Sequence, residues 1–141
     1  MKKIALVILP LLVMILVARA ADDKAQKGIT FFDASWKEVA AKAHKEKKLV
    51  FMDIYTTWCG PCKMLRKTTF TDKAAGEYFN ANFVNTSVDA EKGEGVEIAN
   101  KYHVEAYPTL LILDENGNEL GRQLGFMPAE GLIRFGKSVK K

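Results

Sequence analysis

Two cysteines that lie three positions apart, Cys59 and Cys62, are the residues of this 141-residue chain best suited to chemistry. They are its only cysteines, and the segment WCGPCK places Gly60 and Pro61 between them. A disulfide between residues this close closes almost no loop, so it stabilises the fold little by constraining the unfolded chain. The spacing instead suits thiol–disulfide exchange, in which one sulfur attacks a disulfide and the second resolves the mixed disulfide.

The position of the motif favours the same chemistry. It follows the apolar run LVFMDIYT, residues 49–56, which is typical of a strand buried on both faces. The residues CGPCKMLRKTTF then predict a helix that begins at or near Cys59. The first turn of a helix has unpaired N–H groups and a partial positive charge, which stabilise a thiolate. We therefore expect the pKa of the Cys59 thiol to lie below that of free cysteine. Cys62, one turn along, is then placed to resolve the mixed disulfide, and Gly60 and Pro61 tune the reduction potential.

Asp53 lies six residues before Cys59 and is the one charged residue in the apolar strand. A buried carboxylate is costly unless it has a partner or a role, and burial raises its pKa. Such a carboxyl group suits a proton acceptor for Cys62. The alternative is an aspartate at the strand end that faces solvent, and the apolar neighbours of Asp53 favour the buried position.

Pro108 is the third candidate, in the segment YPT before another predicted strand. Proline cannot donate a ladder hydrogen bond in the middle of a sheet. A cis Tyr107–Pro108 bond would make a constrained turn. Beside Cys59, such a turn would expose the backbone of Tyr107 to a substrate strand. The alternative is an ordinary trans turn.

The remaining sequence predicts the elements that must position these residues. A β-like run, ITFF, precedes a helix with the capping-box pair Ser35 and Glu38. A second helix with Thr71 or Asp72 as its cap follows the cysteine motif, and EKGEG, residues 91–95, is typical of a solvated turn. The further predicted elements are a strand FVNTSVDA, a helix VEIANKYH, a hairpin of PTLLILD with ELGRQLGF around ENGN, and a last helix over residues 129–140 that Pro128 opens.

The predicted order is therefore β-α-β-α-α-β-α-β-β-α. Strands that alternate with helices pair in parallel, and a terminal hairpin pairs antiparallel. We expect an α/β fold with a mixed central sheet and helices on both faces.

The first twenty residues differ from the rest. A basic start, MKK, precedes a 15-residue apolar run and the small-residue pattern ARA, which is the layout of a Sec-type signal peptide. We expect residues 1–20 to be cleaved, residues 21–28 to be a flexible start, and residues 29–141 to be the folded domain. The alternative is an N-terminal membrane anchor, which the short run and Pro10 disfavour.

Charge and ligand count exclude two function classes. Without residues 1–20 the net charge falls from +4 to +1, with 18 basic against 17 acidic residues, so nothing favours nucleic-acid binding. One C-x-x-C motif supplies two ligands where a closed zinc site needs four. The only histidines are His44 and His103, so we expect no metal site.

These motifs together resemble the thioredoxin family. The resemblance rests on WCGPCK, the aspartate six residues before it, YPTLLIL and a glycine, Gly125, before the last helix, and it covers residues 49–137. It implies a thioredoxin-like three-layer fold. It also implies site roles: nucleophile for Cys59, resolving thiol for Cys62, buried proton acceptor for Asp53, and cis-proline beside the active site for Pro108.

The resemblance extends to the surroundings of the cysteines. Trp58 would shield the sulfurs, and the expected substrate-contact residues are Trp58, Gly60, Pro61, Lys63, Tyr107 and Pro108, with Phe126 nearby. Cytosolic members often carry a lysine that faces the buried aspartate at the position of Asn85, so Asn85 would leave Asp53 without a charge partner. The segments TTFTDKAAGEYFNANFV and LGFMPAEGL are more similar to exported relatives, such as the C-terminal domain of the periplasmic thiol:disulfide interchange reductase.

From this resemblance we expect an exported, periplasmic thiol:disulfide oxidoreductase, a monomer whose redox group is the Cys59–Cys62 pair without a further cofactor. The Gly-Pro dipeptide favours a reductant of protein disulfides over a strong oxidant. An exported reductant needs electrons from inside the cell, so we expect a membrane thiol-electron transporter as its donor. The alternatives are a periplasmic disulfide oxidase or isomerase, and a non-catalytic binding module.

Overall fold

A four-stranded mixed β-sheet forms the centre of the structure, a computed structural model that describes residues 28–139. Its spatial order is β2-β1-β3-β4, in which β1 pairs in parallel with β2 and antiparallel with β3, and β3 pairs antiparallel with β4. This mixed pairing confirms the expected fold class. The strands are β1 (Leu49–Tyr55), β2 (Phe83–Asp89), β3 (Thr109–Leu113) and β4 (Glu119–Leu124).

The predicted signal peptide, residues 1–20, and residues 21–27 of the predicted flexible start lie outside the described residues. No helix within residues 28–139 has the length and apolar character needed to cross a bilayer.

Four helices begin where the sequence predicts, directly after Ser35, Cys59, Asp72 and Pro128. The helix predicted over residues 96–103 begins earlier, at Glu94, inside the segment predicted as a solvated turn. The Ser35 side chain and Glu38 form the expected capping box, and the Asp72 side chain accepts from the Ala75 N–H at 2.9 Å. The cysteine-bearing helix is α-helical for five residues and then continues as a π-helical segment, which the sequence did not predict. The helices are α1 (Trp36–Glu46), α2 (Gly60–Met64) with the π-helical segment (Leu65–Thr69), α3 (Lys73–Asn82), α4 (Glu94–Lys101) and α5 (Ala129–Ser138).

Two apolar clusters, one on each face of the sheet, make up the core. Successive side chains of a strand face opposite sides, so Val50, Met52 and Ile54 of β1 pack with α1 and α4. Phe51 packs on the other face, with the π-helical segment, α3 and α5. Asp53 is on the same face as Phe51, which is the face that the cysteine-bearing helix covers.

The predicted first strand, ITFF, is wrong, because residues 29–32 adopt no strand. Side chains replace most of the ladder that a strand would need. The Thr30 N–H donates to Asn80 Oδ1 at 2.8 Å, and the Asn85 side-chain amide donates to the Thr30 carbonyl at 3.2 Å. A backbone bond to β2 joins the Phe32 N–H to the Asn85 carbonyl at 2.7 Å. The segment therefore lies against β2 without extending the sheet.

We expect Gly76→Ala to destabilise this region. A Cβ at Gly76, within α3, would lie 2.3 Å from the Gly28 carbonyl oxygen and 2.7 Å from its Cα, so backbone would have to move. Overpacking of this kind costs about 1–3 kcal/mol, which urea unfolding would measure. Gly131→Ala in α5 is the matched control, because its Cβ would meet side-chain atoms no closer than 3.6 Å. That variant should gain up to about 1 kcal/mol from helix propensity. Equal stability of the two variants would contradict this account.

Candidate active site

Cys59 and Cys62 are joined by a disulfide at the start of α2, with their Cα atoms 5.3 Å apart. Cys59 caps the helix: its backbone is extended, and its Sγ accepts a hydrogen bond from the Cys62 N–H at 3.2 Å. The sulfur thus lies at the N-terminal end of the helix, as the sequence predicts. Both residues are buried, so a substrate must fit closely against the surrounding surface. The acidity of the Cys59 thiol concerns the reduced protein and stays a prediction.

The Asp53 side chain is buried in the sheet, with 1 % of its surface exposed. Its Oδ2 accepts a hydrogen bond from Ser87 Oγ at 2.9 Å, whereas its Oδ1 has no hydrogen-bond partner among the described residues. Burial raises the pKa of Asp53 to about 6, and the Ser87 hydrogen bond and the Arg66 charge oppose this rise. The predicted burial is confirmed, and the carboxyl group can change its protonation state near neutral pH.

Arg66 and Ser87 are neighbours of Asp53 that the sequence analysis missed. Arg66 Nη2 lies 3.8 Å from Asp53 Oδ2 and donates to Ser87 Oγ at 3.1 Å. Arg66 comes four residues after Cys62, so helical spacing could have indicated it. Ser87 could not be found in this way, because it meets Asp53 only through the register of β1 with β2.

The expectation for Asn85 is wrong. Ser87, and not Asn85, lies opposite Asp53, because the parallel register pairs Asn85 with Phe51. The Asn85 amide instead donates to Asn80 Oδ1 at 3.1 Å and to the segment before α1. Asp53 also does not lack a charge partner, since Arg66 supplies one from the helix.

A cis peptide bond joins Tyr107 and Pro108, as one of the two sequence alternatives proposed. The Pro108 carbonyl accepts from the Gly125 N–H at 2.8 Å, which joins the start of β3 to the loop before α5. The Tyr107 ring packs edge-on against Trp58, with ring centres 5.9 Å apart. The turn is therefore beside the residue that precedes Cys59.

Trp58 is 64 % exposed and is held at its polar end. Its Nε1 donates to Glu91 Oε1 at 3.0 Å, so the charged turn after β2, which the sequence marks only as solvated, contributes to the site. Gly60, Pro61 and Lys63 are exposed around the buried sulfurs, and Phe126 is exposed in the loop before α5. Trp58, Gly60, Pro61 and Lys63 thus leave the segment that carries the disulfide open to solvent.

Metal ligands are not gathered at the site. Within residues 28–139, no three His, Cys, Asp or Glu side chains are grouped to hold a metal ion. His44 and His103 are both exposed.

Comparison with known proteins gives consistent matches. A family model described as a thioredoxin-like domain matches residues 35–140. Thioredoxin of Mycoplasma genitalium is 41 % identical over 87 residues, which cover 62 % of this chain and 78 % of that protein. The thiol:disulfide interchange protein DsbD of Yersinia pestis is 34 % identical over 98 residues, which cover 67 % of this chain but 16 % of DsbD.

A solved structure agrees with these matches. The solution structure described as "a putative disulphide-isomerase" from Bacteroides thetaiotaomicron is 46 % identical and superposes with a TM-score of 0.72. The match covers 82 % of this chain and 96 % of that chain.

We expect Asp53→Asn to stabilise the oxidised protein at neutral pH. The folded carboxyl group, with its pKa near 6 against an ordinary 3.8, keeps its proton to higher pH than the unfolded one. The wild type therefore loses stability as the pH rises from about 4 to about 6, and asparagine has no proton to lose. Urea unfolding should show a gain of up to about 3 kcal/mol at pH 7 and little difference near pH 4.

Asp114→Asn is the control of opposite sign. The half-buried Asp114 side chain accepts hydrogen bonds from Asn118 and from the backbone of the following turn, which hold the pKa of Asp114 below its usual value. Its replacement should lower stability at pH 7. If the Asp53→Asn variant is as stable as the wild type at both pH 4 and pH 7, the argument from burial is contradicted.

Proposed function

The chain belongs to the thioredoxin-like domain family, and on that premise we propose that it is an exported reductase of protein disulfides. The family, the mixed-sheet fold and the class of chemistry agree with expectation: the chain is a thiol:disulfide oxidoreductase with a redox-active cysteine pair. The single observation that carries this is the Cys59–Cys62 disulfide at the start of a helix on that fold. The proposal adds the direction of electron flow, the compartment and the role of each residue.

In the proposed cycle the Cys59 thiolate attacks a substrate disulfide. A mixed disulfide forms, and the first substrate sulfur leaves as a thiolate that takes a proton from water. Asp53 then takes the proton of the Cys62 thiol, and the Cys62 sulfur attacks Cys59 Sγ. The second substrate sulfur leaves, and the protein is left oxidised after passing two electrons to the substrate.

The exposed surface around the cysteines supports a protein as the substrate. We propose that Trp58 and the cis turn at Pro108 contact the substrate, with the Tyr107 backbone available to an extended chain. Trp58 is exposed yet held both by the Tyr107 ring and by the hydrogen bond of its Nε1, so it offers an apolar surface without much loss of side-chain freedom on binding. Gly60, Pro61 and Lys63 complete this proposed contact surface.

The Gly60–Pro61 dipeptide supports the reducing direction. Thioredoxin has a reduction potential of about −270 mV, whereas that of the strong oxidant DsbA is about −120 mV. The likeness to proteins named thioredoxin agrees with the lower value. A second candidate, disulfide isomerisation or oxidation, is favoured by the likeness to the Bacteroides thetaiotaomicron protein.

The sequence of residues 1–20 supports export, by cleavage or as a membrane anchor. We propose cleavage, which leaves residues 21–28 as a short start and residues 29–141 as a monomeric domain in the periplasm. An exported reductant must be recharged, and we propose a membrane thiol-electron transporter as the donor. The likeness to the interchange protein DsbD supports thiol exchange with another protein.

We expect the protein to reduce insulin disulfides with dithiothreitol as the electron source. Cys59→Ser should abolish the reaction, because the serine hydroxyl is not a thiolate nucleophile. Cys62→Ser should accumulate mixed disulfides with exported proteins, because the first attack occurs and the second cannot. The double variant, which should capture nothing, is the control. An inactive wild-type protein would favour the non-catalytic module.

The reduction potential of the Cys59–Cys62 pair decides whether the protein acts as a reductant of protein disulfides or as an isomerase. Equilibration with glutathione should give a value near that of thioredoxin, about −270 mV. A value above about −180 mV, that of protein disulfide isomerase, would replace the reductase proposal with the isomerase candidate.

A further inference from the structure

A cation lies beside the buried carboxyl group of Asp53 and has no part in the cycle above. Arg66 is the one cation within ion-pair distance of Asp53 among residues 28–139, with Nη2 3.8 Å from Oδ2. It lies four residues after Cys62 on the same helix, so the two residues are neighbours along one helical face. Arg66 thus connects the helix of the resolving cysteine with the proposed proton acceptor.

Two further contacts fix the Arg66 guanidinium. Its Cζ lies 3.5 Å from the centre of the Tyr55 ring, and its Nη2 donates to Ser87 Oγ at 3.1 Å. The Ser87 hydroxyl in turn donates to Asp53 Oδ2 at 2.9 Å. A planar guanidinium between an aromatic ring and a hydroxyl keeps its charge in one place. The positive charge is therefore held near Asp53 rather than free to move into solvent.

The two contacts that Asp53 receives from Ser87 and Arg66 fall on the same carboxyl oxygen. Ser87 and Arg66 approach Oδ2, whereas Oδ1 is buried without a hydrogen-bond partner in the described structure. A carboxyl group that is held by one oxygen has a fixed orientation and presents the other to a new bond. Oδ1 is the oxygen that is free to accept a proton.

Arg66 and Ser87 also separate Asp53 from solvent. Both line a surface groove of about 360 Å³ whose remaining walls are Ile29, Phe31, Phe70 and Thr71. The Arg66 side chain is 44 % exposed, against 1 % for Asp53. Changes at position 66 therefore act on a carboxyl group that water reaches poorly, where charges interact strongly.

We propose that Arg66 is a positioning residue for disulfide exchange, which through Ser87 holds Asp53 by Oδ2, keeps Oδ1 free and stabilises the carboxylate that receives the Cys62 proton. The inference rests on the proposed role of Asp53. As the S–H bond of Cys62 breaks, an O–H bond forms at Asp53. The Cys62–Cys59 S–S bond then forms while the Cys59–substrate S–S bond breaks. The electron pair leaves on the substrate sulfur, which takes up a proton as Asp53 releases its own to water.

Among the described residues around Asp53, Arg66 carries the one positive charge within ion-pair distance of the carboxyl group. The neighbouring strands pair Asp53 with Ser87 and Leu110, neither of which is charged. The other cations of the cysteine-bearing helix, Lys63 and Lys67, are exposed. Arg66 lowers the pKa of Asp53 against the larger effect of burial, so its loss should shift the carboxyl group toward the protonated form.

The test compares Arg66→Gln and Arg66→Lys with Lys67→Gln, which removes the same charge from an exposed position on the same helix. The first readout is the ionisation of Asp53 in the oxidised protein, followed by NMR of its carboxyl carbon. The midpoint should rise by about one pH unit in Arg66→Gln and less in Arg66→Lys, because lysine keeps the charge. Lys67→Gln should match the wild type. An unchanged midpoint in Arg66→Gln overturns the inference and leaves the role of Asp53 intact.

The second readout isolates the step that Cys62 performs. Reduced protein reacts with a bis-thionitrobenzoate disulfide, and the first thionitrobenzoate released reports attack by Cys59, the second attack by Cys62. With the pKa of Asp53 near 6, Arg66→Gln should slow the second release about fivefold at pH 6 and about twofold at pH 7. The first release should not change, and Arg66→Lys should restore most of the second. If the NMR midpoint moves while the second release keeps its pH profile, Asp53 is not the proton acceptor and the inference fails with that role.

Discussion

The burial of one carboxyl group under the cysteine-bearing helix is the constraint on which the site depends. A charge at Asp53 is disfavoured in proportion to its loss of water, and its neighbours offset that loss only in part. A complete set of partners would hold the group ionised at all relevant pH values, and no partners would hold it neutral. With one hydroxyl and one partly exposed guanidinium, the carboxyl group has a pKa of about 6, between these two extremes.

The central strand explains how this balance is built. Phe51, Asp53 and Tyr55 alternate with core residues and so occupy one face of β1. The first packs in the apolar cluster, the second meets Ser87 and Arg66, and the third supports the Arg66 guanidinium at the end of the strand. Three successive positions on one face thus pass from the apolar core, through a buried ionisable group, to a half-buried ring at the end of the strand.

The features that the sequence predicts correctly have local causes. The cap position of Cys59 follows from a strand–helix junction, the burial of Asp53 from its apolar neighbours, and the cis bond at Pro108 was one of two local alternatives. Ser87 lies 34 residues from Asp53, so only the strand register reveals it. The error at residues 29–32 has the same origin, because β propensity is local and the asparagine side chains that hold the segment are distant in sequence.

The segment before α1 lies along one edge of the sheet, beside β2. β2 is an outer strand, and outer strands offer unpaired amides and carbonyls that can recruit another chain into aggregates. Here the carbonyl of Asn85 is occupied by Phe32, while the side-chain amides of Asn80 and Asn85 hold the covering residues without creating a new regular edge. The irregular backbone thereby covers the β2 edge of the sheet. A fifth regular strand in the same place would instead have created a new edge of unpaired amides and carbonyls on its own outer side.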